Sequence, residues 1–553
     1  MSVPTAELTA PAATTDVAAG RRGLPEWIRG GRLYLWLGGA ALLIGVASLL
    51  IPSTPSYDPW AWLVWGREIA HINLQTTGGP SWKPLPVLFT TVFSLFGSAQ
   101  PDLWLIVARA GAVMAVAMVF KIAWRLTSDL VADATMRNGL VRRLALIAPA
   151  LAGVIAAGSL VNSLGFISNN ALGYSEGLAT ALGLIAIDRH LDGARRQAFV
   201  VGFFAALDRP ELWFVWGPYG LYLFWRDPGA RRLVVALFAL IPVLWFLPEL
   251  WGSGHLLRGV NRAQHPRSNS AAFTKCPVCT VFKKEAWPAV LNRVKIPAIL
   301  ALFAAAFGLW RTREAWRERR VVDRGVRAQA WLLGLGLFGL VWWLGVAIET
   351  QAGFSGNNRY LVLGTAPLAI AGGIAWGWFS IALAGAIGWL TRSVSSLRSL
   401  GARFTIPAGA VAAVALFLAV PPWIGQNIIS LPRTHHALVY QAHLREDLTA
   451  AVREAGGAGA LLSCGTVMTE GFQVPMVAWT LGVHTLRVEA TPLTFAGPPG
   501  PAVILQTRAQ STSRLPPTPP QILAWERAGA HYRLLAHVRT FRVFSTCAAK
   551  VTG

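Results

Sequence analysis

The sequence predicts a mainly α fold: a polytopic membrane helix bundle of about eleven spans, followed by a small extracytoplasmic α/β domain. Three observations carry this. Hydrophobic residues make up 54% of the 553 residues and charged residues only 14%, a composition foreign to a soluble protein of this length. Apolar runs long enough to cross a bilayer recur through residues 33–431. From residue 432 to 553 the pattern changes to short apolar runs bounded by turn residues, which read as strands and helices.

Residues 1–32 are polar and Ala/Thr-rich without a cleavable signal pattern, so a disordered cytoplasmic tail is expected there. Spans are predicted near 33–52, 103–126, 144–160, 172–189, 197–207, 212–225, 232–248, 289–310, 328–348, 360–390 and 405–424. The net charge of +23 is carried almost wholly by arginine. It does not mark a nucleic-acid-binding protein, because no basic soluble domain is visible. The arginines fall between spans instead: Arg21, Arg22, Arg29 and Arg32; Arg137, Arg142 and Arg143; Arg195 and Arg196; Arg226, Arg231 and Arg232; Arg311 to Arg327; Arg392, Arg398 and Arg403. The positive-inside rule puts these groups in the cytoplasm, the amino terminus with them, and the carboxy-terminal domain outside. A multi-pass plasma-membrane protein in contact with membrane lipid follows. The Ala/Arg/Gly/Pro-rich, lysine-poor vocabulary points to a GC-rich bacterial genome.

Two outer loops stand out, 53–102 and 249–288. In the first, Asp58 opens a short helix carrying Trp60, Trp62 and Trp65, which closes near His71. A Gly-Gly-Pro turn and the triplet Trp82-Lys83-Pro84 come next, then a second helix from Leu85 to Phe96. A Trp-rich amphipathic segment beside a span is expected to lie in the membrane interface. There it would hold the Asp58 carboxylate and the Lys83 ammonium over the bilayer surface, the pairing that a reaction at a lipid phosphate needs. The second loop is assigned outside yet carries Arg258, Arg262, Arg267, Lys275, Lys283 and Lys284. It reads as a miscounted span, as a long loop that escapes the charge rule, or as a basic lid over an anionic substrate. Cys276 and Cys279 could close a small loop in it, and no second ligand pair stands near to make a metal site. In the outer domain Cys464 and Cys547 are disulfide candidates, a bridge that could add about 4 kcal/mol. Runs such as Gly459–Cys464, His484–Ala490, Pro501–Thr507 and Tyr532–Cys547 read there as strands, and 437–455 and 520–529 as helices.

Ionisable groups at span ends away from the arginine-rich side need an explanation. The topology gathers five such groups on the outer side: Asp58; Lys83; Asp208, Arg209 and Glu211; Asn169, Asn170, Tyr174 and Glu176; and Asn357, Asn358, Arg359 and Tyr360. Each has an ordinary reading alone. Asp58 could be a helix cap, Arg359 a lipid-headgroup contact, and Asp208 and Arg209 a pair. Five on one face converge.

These residues carry a resemblance. Asp58 after the first span, a helix with Gly-Arg-Glu-Ile-Ala, a Gly-rich turn, Lys-Pro-Leu-Pro and a helix ending Leu-Phe-Gly resemble the first outer loop of GT-C membrane glycosyltransferases. The branch is that of protein O-mannosyltransferases and aminoarabinose transferases. Asp208-Arg209-Pro210-Glu211 and Arg359-Tyr360-Leu361 are similar to later elements of such enzymes. The resemblance implies transfer of a sugar from a polyprenyl-phosphate carrier to a glycan, lipid or protein acceptor on the outer face, with no cofactor besides the lipid-linked donor. Carried over, Asp58 is the catalytic carboxylate and Lys83 contacts the lipid phosphate. Arg359, Tyr360, Asp208, Arg209, Glu211, Asn358, Trp62 and Trp82 complete the expected substrate-binding set. Here Asp-Pro stands where many relatives have Asp-Glu, and no Asp-x-Asp occurs in the loop, so no metal is expected. The rival readings are a transporter or flippase of a lipid-linked sugar, which usually shows inverted repeats and helices interrupted near the midplane, and a non-catalytic membrane scaffold.

Overall fold

The computed structural model describes residues 31–131, 146–266, 270–314, 323–393, 402–419, 429–493 and 499–547. The expected tail over residues 1–30, and Arg137, Arg142, Arg143, Arg267, Arg317, Arg319, Arg320 and Arg398, lie outside them.

Each expected span holds a helix among the described residues. In chain order the bundle runs α1 (Gly31–Ala47), the outer-loop helices α2 (Tyr57–Ala70) and α3 (Pro84–Phe93), α4 (Gln100–Val131), α5 (Ile147–Val161) and the short α6 (Phe166–Ala171). There follow α7 (Glu176–Leu191), α8 (Arg195–Asp208), α9 (Trp213–Arg226) and α10 (Arg231–Ser253). The second outer loop holds α11 (Arg258–Ala263) and α12 (Pro277–Val281), and the bundle closes with α13 (Asn292–Arg311), α14 (Arg324–Gln351), α15 (Val362–Ser393) and α16 (Ala402–Ala419). Six helical stretches among the described residues are long and apolar enough to cross a membrane alone. The other five expected spans, α5, α7, α8, α9 and α16, are helices of 14 to 18 residues. Polar breaks set the length of three of them: Asp208-Arg209-Pro210 separates α8 from α9, and Gly193 ends α7 with a positive φ that favours glycine.

Small residues set the close approaches where α7 begins. A Cβ at Gly177 of α7 would lie 2.9 Å from Ala112 Cα of α4, and one at Gly111 would lie 2.7 Å from Leu178 Cα. The two backbones therefore interlock where α7 begins, as close-packed membrane helices do. The bundle core is built around α4, α5, α13, α14 and α15.

The carboxy-terminal domain opens with α17 (Leu431–Glu454) and α18 (Gly457–Cys464). Strands β1 (Val467–Thr469), β2 (Val488–Ala490), β3 (Val503–Gln506), β4 (Arg533–His537) and β5 (Arg542–Ser545) follow, with α19 (Val474–Leu481) and α20 (Pro519–Arg527) between them. The sheet order is β2-β1-β3-β5-β4. β1 is parallel to β2 and β3, with Val467 opposite Val488 and Val503, and β5 is antiparallel to β3 and β4. Helix α20 covers one face through Trp525 on Met468, Ile504 and Phe544. The run Gly459–Cys464, expected as a strand, belongs to α18; an apolar run of that length fits either state, and tertiary packing decides. Cys464 is bonded to Cys547 and Cys276 to Cys279.

The other face of the sheet reveals a second departure. Helix α2 does not offer its indoles to a membrane interface. Trp60, Trp62 and Trp65 are buried, and they share one apolar core with α17, α19 and the sheet. Trp60 packs on Trp479 at 5.2 Å between ring centroids, and Arg67 donates to the carbonyls of Trp479 and Val483 at 3.1 and 2.9 Å. Indoles read as interface anchors are core residues here, because a folded domain rather than lipid covers them.

Candidate active site

Local rules place each charged side chain. Asp58 stands in the first turn of α2, ahead of Pro59, after an extended Ser56. Lys83 precedes Pro84, which bars it from the helix and leaves it extended at φ −140° before α3. Glu176 opens α7. Asp208 is the last residue of α8, and Arg209, extended before Pro210, turns the chain into α9. Arg359 lies in a single 3₁₀ turn, Asn358–Leu361, that leads into α15.

These five elements deliver one cluster. Arg359 Nη2 donates to Asp58 Oδ2 at 2.7 Å, across 301 residues of chain. Arg359 Nη1, Lys83 Nζ and Arg209 Nη1 lie 3.8, 3.6 and 3.9 Å from Glu176 Oε1. Lys83 also lies 3.8 Å from Asp208 Oδ1 and donates to Ser175 Oγ at 3.1 Å, while Ser175 donates to Asp208 Oδ1 at 2.7 Å. Arg209 reaches Glu211 at 3.8 Å, on the more exposed rim. Aromatic faces line the cations: Arg359 lies 4.1 Å from the Tyr174 ring centroid, Arg209 lies 4.4 Å from that of Tyr360, and Lys83 lies 5.3 Å from Trp62. Glu176 and Asp208 are 2% and 0% exposed. Charges this deeply buried persist only when paired.

Asp58, Lys83, Arg359, Tyr360, Asp208, Arg209, Glu211 and Trp62 are thus brought together. Asn358 stands at the margin, where its Oδ1 accepts from Asn169 at 3.2 Å. Trp82 has a different place: it packs on Trp65 and donates to the Leu244 carbonyl at 3.0 Å, fixing the loop from behind. The sequence reading gave Glu176 no role and missed Ser175. Glu176 is the hub of the cluster, and its signal was available as a carboxylate opening an apolar segment.

In the second outer loop, Arg258 donates to the carbonyls of Thr77, Gly78, Gly79 and Pro80 at 2.6 to 3.1 Å and pairs with Glu249 at 3.7 Å. Arg262 donates to the Gly79 carbonyl as well. Gly79 has φ +94°, so this turn requires glycine, and the two arginines pin it ahead of Lys83. Lys275, Lys283 and Lys284 are exposed. The basic loop buttresses the first outer loop through its arginines.

Just inward of the cluster lies an apolar cavity of about 460 Å³, lined among others by Thr180, Ala205, Leu212, Trp216, Phe338 and Leu363. Thr180 is one turn below Glu176, Ala205 one turn below Asp208, and Leu363 one turn below Arg359. A charged headgroup site above an apolar slot suits an amphiphile with an anionic head.

No protein-family model matches the sequence, and no curated protein matches it. The fold is similar to two crystal structures of ArnT from Cupriavidus metallidurans. One is bound to undecaprenyl phosphate: 14% identity, 94% of this chain and 99% of that chain covered, TM-score 0.46. The other is in the apo state, with 15% identity, the same coverage and a TM-score of 0.47.

Proposed function

We propose that the protein is a membrane glycosyltransferase that moves a sugar from a polyprenyl-phosphate carrier to an acceptor hydroxyl on the outer face of the membrane. One observation carries the reading: a carboxylate at 58, an ammonium at 83 and a guanidinium at 359 meet in one buried cluster above an apolar slot.

The chemistry follows from the positions. The donor's phosphate sits against Lys83 and Arg359, with Arg209 in reserve, and its polyprenyl chain descends along α7, α8 and α9. Asp58 takes the proton of the acceptor hydroxyl, whose oxygen bonds to the anomeric carbon as the bond from that carbon to the phosphate oxygen breaks. A positioned base of this kind is worth about 10²–10⁴ in rate. The charge that Asp58 loses reappears on the departing phosphate. Arg359 attends both ends of that transfer, since one of its nitrogens holds Asp58 while the other faces the cations' common centre.

Membranes containing the protein, incubated with radiolabelled polyprenyl-phosphate sugars, are expected to label an acceptor, and Asp58→Asn is expected to abolish labelling at unchanged expression. An active Asn variant removes Asp58 from the role. Translocation of the lipid without transfer would make the protein a transporter.

A further inference from the structure

Glu176 occupies the point where the three buried cations meet. Lys83, Arg359 and Arg209 all face the same oxygen, Oε1, at 3.6 to 3.9 Å, each beyond ordinary N–H···O reach. Among the described residues, neither Glu176 oxygen, nor Asp208 Oδ2, has a hydrogen-bond partner apart from the N–H of Glu176 itself. Asp58 differs, because its Oδ2 accepts a 2.7 Å bond from Arg359. Glu176 is held by the field of its neighbours rather than by fitted donors, in the place where a phosphoryl oxygen would meet the same three cations.

The charges nearby decide what happens when one arrives. Asp58, Glu176 and Asp208 offset Lys83, Arg209 and Arg359. Glu211 at the rim pairs with Arg209, and Glu349 of α14 lies within electrostatic reach of both, so neither supplies the positive charge that an incoming phosphate would need. The other groups facing the cluster are Ser175, Tyr174 and Tyr360. A phosphodiester brings one further negative charge, and an uncompensated charge in such a site is strongly disfavoured. Asp58 is needed as the base, and its Oδ2 is already taken up by Arg359.

We infer, resting on the donor reading above, that Glu176 is an internal stand-in for the donor's phosphate. It keeps the three cations together in the empty site and gives way when phosphate enters. Donor binding is then coupled to uptake of one proton from solvent, shared by the Glu176 and Asp208 carboxyls as a pair. The role is a positioning one, and it makes donor affinity fall as pH rises.

The test uses the full chain in lipid nanodiscs and a polyprenyl phosphate methyl diester, whose single charge does not titrate near neutrality. Calorimetric titration in buffers of different ionisation enthalpy is expected to show uptake of about one proton, with affinity falling up to about tenfold per pH unit. Glu176→Gln is expected to bind the diester about tenfold more tightly, with proton uptake and pH dependence both diminished. Binding without proton uptake, together with unchanged affinity in Glu176→Gln, overturns the inference and leaves the donor reading standing. If the wild type binds neither the diester nor polyprenyl phosphate, both fall. Should Glu176→Gln fail to fold, the buffer dependence of the wild type decides alone.

Discussion

At the scale of single residues, the Asp58–Arg359 pair has two separable duties. Each group neutralises a buried partner, and each has a proposed chemical task. Removing one charge leaves the other buried and unpaired, which typically costs about 3–5 kcal/mol. Arg359→Gln is therefore expected to lower the midpoint of thermal unfolding as well as activity. The double variant Asp58→Asn/Arg359→Gln is expected to regain much of the stability and none of the transfer, because both charges are gone together. Thermal melts in detergent beside the transfer assay measure the two effects. A second residue gives a pH prediction away from the bundle. At Asp447 of α17 burial works to raise the carboxyl's pKa, but the Arg539 guanidinium and the Thr540 hydroxyl and N–H prevail and hold it below the ordinary value. A carboxyl depressed in the folded state stabilises above its unfolded pKa, and the contribution fades as pH falls through the folded one. Stability of the carboxy-terminal domain is thus expected to drop below about pH 4, and Asp447→Asn to be less stable at neutrality but less acid-sensitive. Tryptophan-fluorescence melts at stepped pH would show it.

At the scale of elements, the outer-loop hairpin α2–α3 carries two of the three proposed site groups, so its internal spacing matters. A Cβ at Gly66 would lie 2.4 Å from the carbonyl carbon of Thr90, whose hydroxyl donates to the Trp62 carbonyl at 2.7 Å. Gly66→Ala must push the two helices apart, an overpacking expected to destabilise by about 1–3 kcal/mol. It shifts Lys83 relative to Asp58, so transfer is expected to fall further than stability alone explains, readable by comparing the loss in kcat with the loss in Tm. Much of this hairpin was legible in the sequence. Prolines at 59 and 84 mark both helix starts, the glycine turn separates them, and Asp58 and Lys83 are polar groups where a span's neighbourhood should be apolar. Arg359 and Asp208-Arg209 were legible by the same argument. What escaped were relations that no periodicity encodes: that α2 would be covered by a domain nearly four hundred residues downstream, and that Gly459–Cys464 would be helical. A cluster at the opposite end of α7, where Asp188 pairs with Lys121, Arg125 and Tyr34, was also missed. Its signal was present in Lys121, an ammonium four residues before Arg125 near the end of an apolar run.

At the scale of the whole molecule, the domain boundary read near residue 432 marks a change of composition but not a break in packing. Leu63, Trp65 and Trp104 of the bundle and Leu448, Val477, Leu505 and Val543 of the carboxy-terminal domain belong to one buried cluster. Polar contacts cross the same boundary. His484 bonds Glu68 at 2.7 Å, Arg445 pairs with Asp102 at 2.6 Å, and Trp479 donates to Gln100 Oε1 at 2.9 Å. Glu68 sits on the proposed site's own helix, and burial pushes its carboxyl pKa up against the opposing pull of the Gln75 N–H and His484. Two outcomes of deleting residues 431–553 can be set against each other. An appended module would leave a folded bundle with its chemistry intact. A shared core would leave Trp60 and Trp62 in water, with the backbone that presents Asp58 unsupported. Burial of large aromatics contributes several kcal/mol each, so the second outcome is expected: the truncated chain aggregates on size-exclusion chromatography in detergent or elutes folded but inactive. A milder break is expected from His484→Ala with Arg67→Ala, which removes the polar clasp and spares the apolar contact. Hydrogen exchange should then speed up along α2 and α19 together while α4 and α15 stay protected, because the loss is confined to the seam between the two parts. A monodisperse truncated bundle that still transfers sugar would show that the carboxy-terminal domain is dispensable to the fold of α2.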